Sequence, residues 1–67
     1  MKITLNNTEE TFEKDRMTIS ELLELSKFSY KLLIVKVNGK LIKKDAYEDT
    51  IVKNGDDVMV LHLVTGG

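Results

Sequence analysis

Val58-Met59-Val60-Leu61-His62-Leu63-Val64-Thr65-Gly66-Gly67 closes the chain, and its reading decides the rest. Val58 to Val64 reads as a strand that runs straight into two glycines. Glycine adds flexibility at an end without burying surface, so a diglycine there needs a reason. Lacking Cβ atoms, the pair can lie extended in a channel too narrow for any other residue. It presents one reactive group, the α-carboxylate of Gly67. With a reference pKa of about 3.3–3.7, that acid is ionised at neutral pH and available as a nucleophile toward an activated phosphate. The bland alternative is a frayed end or a cloning remnant, and the preceding sequence has to choose.

Working backward, Asn54-Gly55-Asp56 makes a turn. Lys43 to Lys53 is less regular and is expected to cover one sheet edge, with Tyr47 and Ile51 as anchors. Leu32 to Val37 is long and β-branched enough for a central strand. Asn38-Gly39 is a strong hairpin signal, returning the chain through Lys40-Leu41-Ile42. At the other end, Met1, Ile3 and Leu5 alternate with Lys2 and Thr4, the period-two pattern of a strand with one buried face. Asn6-Asn7-Thr8 is the next turn. Glu10 to Glu13 reads as a short returning strand at an edge, with Phe12 facing in. Thr18 and Glu21 have the spacing of a capping box, flanked by Met17 and Leu22 as a hydrophobic staple. Ile19, Leu22, Leu23 and Leu25 then line one face of a helix ending near Ser26. Phe28 and Tyr30 fall in a polar connection where the helical period fails.

The order is hairpin, helix, strand, short strand, final strand. It predicts an α+β domain with one main helix on one face of a small mixed sheet. The first and last strands are expected to pair in parallel at the sheet centre. That is the β-grasp, ubiquitin-like architecture, here a single domain over 1–67 with residues 65–67 as a flexible tail.

Composition narrows the function classes. A 67-residue domain buries only about 60% of its unfolded surface. There is no cysteine and one histidine, so disulfides and the usual zinc or iron–sulfur ligand sets are excluded. A cysteine nucleophile or persulfide on this chain is excluded too, and the lack of cysteine fits a reducing cytosol. Net charge is −1 with both signs mixed, against the basic excess of a nucleic-acid binder. No apolar run approaches the roughly eighteen residues of a membrane span, and the N-terminus lacks a signal-peptide block. These features predict a soluble cytoplasmic protein with neither nucleic acid nor membrane as partner.

Strand parity suggests a docking face. With Val58 and Val60 toward the helix, Met59, Leu61 and Leu63 point away from it. Val35 and Val37 likewise face in, while Ile34 and Lys36 face out. Apolar residues on the solvent side of a sheet, beside the tail, read as a partner site. Scattered surface leucines are the plain alternative. His62, without a partner group, is a poor metal site and a poor base. Lys36, Lys40, Lys43 and Lys44 read as a solvated face guarding a strand edge, with an acidic partner as the other reading. Glu9, Glu10, Asp56 and Asp57 are read as carboxylates that solvate turns.

Three motifs in order carry a resemblance: Val37-Asn38-Gly39-Lys40, Asn54-Gly55-Asp56-Asp57-Val58 and Val64-Thr65-Gly66-Gly67. Together, with Leu41-Ile42 and Tyr47 between the first two, the chain resembles the ThiS-type sulfur carriers of thiamin thiazole biosynthesis over essentially its whole length. The MoaD-type small subunit of molybdopterin synthase shares the fold and the diglycine. Its members commonly run longer and carry prolines before the tail, whereas this chain has none. Ubiquitin fits less well, since the tail lacks its arginines.

The resemblance implies that a ThiF-like adenylating enzyme activates the Gly67 carboxylate with ATP and Mg. Thr65 and Gly66 would occupy its channel. Sulfur from a persulfide donor would then displace AMP and leave a thiocarboxylate for a ThiG-like thiazole synthase. The face read from strand parity, Ile34, Lys36, Met59, Leu61 and Leu63, is expected to serve as the partner-binding surface. The chain itself would bind no cofactor or metal and would be a protein cosubstrate rather than an enzyme, monomeric when free. A MoaD-like role, a β-grasp binding module with an incidental tail, and a protein modifier are the alternatives.

Overall fold

The computed structural model describes residues 1–28 and 33–62. Expectations placed on Tyr30, Leu32, Leu63, Val64, Thr65, Gly66 and Gly67 lie outside the described residues. Among these residues seven strands and one helix follow in order: β1 (Lys2–Leu5), β2 (Thr8–Thr11), β3 (Arg16–Thr18), α1 (Ile19–Leu25), β4 (Leu33–Val37), β5 (Lys40–Ile42), β6 (Ile51–Lys53) and β7 (Asp57–His62). A 3-10 turn at Lys44–Ala46 lies between β5 and β6.

The main sheet has the strand order β2-β1-β7-β4-β5. β7 occupies its centre, parallel to β1 (Thr4 opposite Asp57, Leu5 opposite Val58) and antiparallel to β4. This parallel central pair, with the helix on one face, is the expected β-grasp. Asn6 (φ 51) and Asn7 (φ 65) form a two-residue turn in the left-handed region. Thr8 therefore already pairs with Leu5, and the returning strand is Thr8–Thr11 rather than 10–13. Phe12 still packs against the core.

The helix is locally encoded at both ends. Thr18 Oγ1 accepts the Glu21 N–H (3.1 Å), and Glu21 Oε1 accepts the Thr18 N–H (3.0 Å). Met17 and Leu22 are both buried, as the staple requires. The Lys14 ammonium donates to Glu21 (2.8 Å), and together with the Thr18 backbone bond it holds that carboxyl at about 2. At the other end Phe28 N–H donates to Leu23 C=O and Lys27 N–H to Glu24 C=O, with Lys27 at φ 60. This is a Schellman ending. Phe28 is thereby turned onto the core rather than left in a polar connection.

The core comprises Ile3, Leu5, Met17, Ile19, Leu22, Leu23, Val35, Tyr47, Val52, Val58 and Val60. Three sequence expectations need correcting here. Leu25, expected on the buried helical face, is 54% exposed, because the stripe of Ile19, Leu22 and Leu23 already fills the contact. The irregular segment contains a strand, β6, that pairs with an unanticipated β3. The register sets Met17 opposite Val52, so Val52 is the buried anchor and Ile51 is 45% exposed. Tyr47 is buried as expected. Its carbonyl accepts the Ser20 N–H, and the Thr50 carbonyl accepts the Ile19 N–H, so this segment also satisfies the open end of the helix.

Asp56, read as a solvating turn carboxylate, is 7% exposed. It accepts from Asn38 Nδ2 (3.1 Å) and from the Lys53 backbone N–H (3.0 Å). Asn38 in turn accepts the Asp57 N–H on its Oδ1 (2.9 Å) and donates its own N–H to the Asp57 carbonyl (2.7 Å). Two turn motifs eighteen residues apart are thus one hydrogen-bonded knot at the start of β7.

Candidate functional site

β7 is the element from which the C-terminal residues continue, so its surroundings define the candidate site. At its start, the Asn38–Asp56 knot fixes where the strand begins. Along one side, β4 pairs with it as far as Leu33 opposite His62. On the other side the β1 ladder ends at Val58, but the Asn6 side chain extends it. Asn6 Oδ1 accepts the Val60 N–H (2.7 Å), and Asn6 Nδ2 donates to the Val60 carbonyl (3.1 Å).

The two faces of β7 differ in chemistry. Val58 and Val60 lie buried beneath the helix. His62 shares their parity, is exposed, and meets the Phe28 ring edge-on with centroids 5.9 Å apart. On the opposite face Ile34 stands across from Leu61, and Lys36 stands between Met59 and Leu41. Directly opposed side chains of this kind lie about 4.5–5.5 Å apart at Cβ. Ile34 and Met59 are half-buried; Leu61 is 43% and Leu41 56% exposed.

Ile34, Lys36, Met59 and Leu61 therefore come together on one face. Leu63, Thr65, Gly66 and Gly67 lie outside the described residues. Leu41 completes the patch and was missed as a member, although alternation through the Asn38-Gly39 hairpin already put it on Lys36's face. Asn6 carried no such signal, because a turn asparagine reads the same whether or not its side chain is used. The basic residues divide: Lys36 stands within the patch, Lys40 is exposed beside the hairpin, and Lys43 and Lys44 flank the 3-10 turn. No helix among the described residues is long and apolar enough to cross a membrane.

A helix laid across a mixed sheet, with the last strand central and parallel to the first, defines a β-grasp protein of the ubiquitin-like kind. Within that class the chain belongs to the ThiS family, whose match runs over residues 2–67. It is 31% identical to the sulfur carrier protein ThiS of Bacillus subtilis (strain 168), covering 97% of this chain and 98% of that one. It superposes with a TM-score of 0.89 on the crystal structure of the thiamine biosynthesis protein ThiS from Geobacter metallireducens, at 30% identity with both chains fully covered. The solution structure of a thiamine biosynthesis protein from the same organism gives a TM-score of 0.82, also at 30% identity, covering all of this chain and 88% of the other.

Proposed function

We propose that this chain is a sulfur carrier whose Gly67 carboxylate is adenylated and then converted to a thiocarboxylate that supplies sulfur for thiazole formation in thiamin biosynthesis. The observation that carries the reading is the family match, which extends through Gly66-Gly67. The Gly67 carboxylate attacks the α-phosphate of ATP, held with Mg by a ThiF-like adenylating enzyme, and pyrophosphate leaves. A donor persulfide then attacks the acyl carbon and displaces AMP. Cleavage of the resulting S–S bond by a thiol leaves the thiocarboxylate. Its sulfur is a far better nucleophile than the original oxygen, so sulfide is delivered to a ThiG-like thiazole synthase without being released. The carrier contributes the reacting terminus and a docking face, acts as a cosubstrate rather than an enzyme, holds no cofactor of its own, and works in the cytoplasm.

Residues 63–67, following His62, span at most about 18 Å when extended. The adenylating site therefore has to come within that distance of the sheet, which is the reason for a docking face beside β7. The patch of Ile34, Lys36, Met59 and Leu61, extended by Leu41 and continued in sequence by Leu63, is the surface we assign to it. Thr65 and Gly66 enter the channel, where a side chain at 66 or 67 collides with its wall or the nucleotide.

Intact-mass analysis of the chain co-expressed with its adenylating enzyme and a persulfide donor tests the reading. One sulfur in place of one oxygen is expected. An unmodified chain would point to a binding module, and attachment to other proteins to a modifier. Gly67→Ala is expected to abolish ATP–pyrophosphate exchange while leaving the fold unchanged, and equal exchange by the two proteins would remove the narrow-channel argument.

A further inference from the structure

Two of the basic residues outside the docking patch, Lys40 and Lys53, line one groove of about 420 Å³ together with Val37, Ile42 and Ile51. Strand register explains how it forms. Ile42 stands opposite buried Val35, and Lys40 opposite Val37, so these four share the helix side of the sheet while Leu41 turns to the other face. β5 is the last strand of the sheet on this side, and its outer edge pairs with no strand among the described residues. On β6, Ile51 and Lys53 flank buried Val52 and therefore point away from the core. Ile51 is exposed, and Val37 and Ile42 are only half-buried. The result is an apolar trough between an open strand edge and β6, with a lysine from each strand.

The charge around this trough is one-sided. Arg16 stands directly opposite Lys53 in the β3–β6 ladder, and like charges so placed destabilise a sheet. No carboxylate relieves them, since the ion pairs among the described residues are Lys2–Glu9 and Lys14–Glu21. Asp56 lines one end of the groove, but it is buried and its oxygens are engaged by Asn38 Nδ2 and the Lys53 N–H. We propose that this groove binds an extended, acidic segment of a partner protein. Its apolar side chains would rest on Val37, Ile42 and Ile51, and its carboxylates would meet Lys40, Lys53 and Arg16. An open strand edge accepts an added strand through its backbone, and the charges select the chemistry of that strand. Two copies of this chain meeting edge to edge would bring lysine against lysine, so the residues that keep copies apart admit a segment of opposite sign. Lys40 and Ile42 lie on one face of β5 and Leu41 on the other, so a partner held in the groove leaves the docking patch uncovered. The proposal involves no sulfur chemistry and stands independently of the carrier reading.

The test is an NMR titration of the isotope-labelled full chain with the acetylated, amidated peptide Glu-Ile-Glu-Val-Asp and with its uncharged counterpart Gln-Ile-Gln-Val-Asn. Saturable shifts are expected at Val37, Lys40, Ile42, Ile51 and Lys53, with the acidic peptide bound at least about fivefold more tightly. Raising the ionic strength from about 0.01 M to about 1 M shortens the Debye length from about 30 Å to about 3 Å and should remove most of that preference. Lys40→Glu and Lys53→Glu together should weaken the acidic peptide by on the order of tenfold. Lys44→Glu makes the same change of charge at an exposed site outside the groove and should stay within about twofold of wild type. Lys53→Glu turns the like-charge pair with Arg16 into an opposite one and so retains the fold, which keeps that single variant decisive if the double one unfolds. Equal binding of the two peptides, shifts confined to the face of Ile34, Met59 and Leu61, or no saturable shift at all would overturn the proposal.

Discussion

Asp56→Ala removes the acceptor at the centre of the knot that joins the β4–β5 hairpin to the start of β7. Two donors lose their partner: Asn38 Nδ2 at 3.1 Å and the Lys53 N–H at 3.0 Å. An orphaned buried donor costs about 1–3 kcal/mol. Both bonds here are only partly buried, and water reaching the Lys53 N–H recovers part of its loss, so the sum is about 3 kcal/mol. A 67-residue domain at about 0.05–0.15 kcal/mol per residue has roughly 3–10 kcal/mol in all. One carboxylate therefore accounts for a third or more of the margin. At about 4–8 °C per kcal/mol for a domain of this size, the thermal midpoint should drop by roughly 12–24 °C. The neighbouring Asp57→Ala is the control, because Asp57 is exposed and only its backbone enters the knot. It should change stability by no more than about 0.5 kcal/mol. Urea unfolding of both variants, completed by a cycle with Asn38→Gly, measures the coupling between the two turns. A coupling of about 1 kcal/mol or more is expected. Equal stabilities for the Asp56 and Asp57 variants, or an additive cycle, would refute the knot.

Other perturbations test the remaining elements. Lys27→Gly should stabilise the protein by about 0.5–1 kcal/mol, because the helix ends in a left-handed residue that glycine adopts without a Cβ penalty; a lower thermal midpoint would contradict that ending. Glu21, held at about 2 against an ordinary 4.5, binds its proton less tightly folded than unfolded. The stability it contributes is complete above the unfolded value and is lost as pH falls through the folded one. Lys14→Met removes the larger cause, so the acid limb of a pH–stability curve between those values should flatten; an unchanged slope counts against the Lys14–Glu21 pair. Leu61→Glu should leave stability within about 0.5 kcal/mol of wild type and weaken binding to the adenylating enzyme by on the order of tenfold or more, measured by calorimetry. Loss of the fold instead would show that Leu61 faces the core.

The legible part of this protein was what neighbouring residues decide among themselves. Thr18, Glu21, Met17 and Leu22 encode a helix start within six positions, and Asn38-Gly39 encodes a hairpin within two. Alternation in β4 and β7 is enforced by strand geometry, so Ile34, Lys36, Met59 and Leu61 could be placed on one face before any pairing was known. The family motifs were legible for the same reason, as local turn chemistry. Other features depended on partners far away in the chain. Met17–Thr18 and Ile51–Val52 become strands only because they meet each other, so three-residue β3 and β6 carry no periodicity of their own. Asp56 and Asp57 are identical as letters, and only the approach of Asn38 buries one and leaves the other in water. Asn6 announces a turn in the sequence, while its second use, standing in for a peptide group beside Val60, exists only once β7 has come to lie against β1. The sequence by itself determined the helix start, the strands β1, β4, β5 and β7, the faces of β4 and β7, and the diglycine at the end. The tertiary structure decided which polar groups those elements must satisfy in one another, because a hydrogen bond needs both partners within about 3 Å and the chain brings them there only on folding.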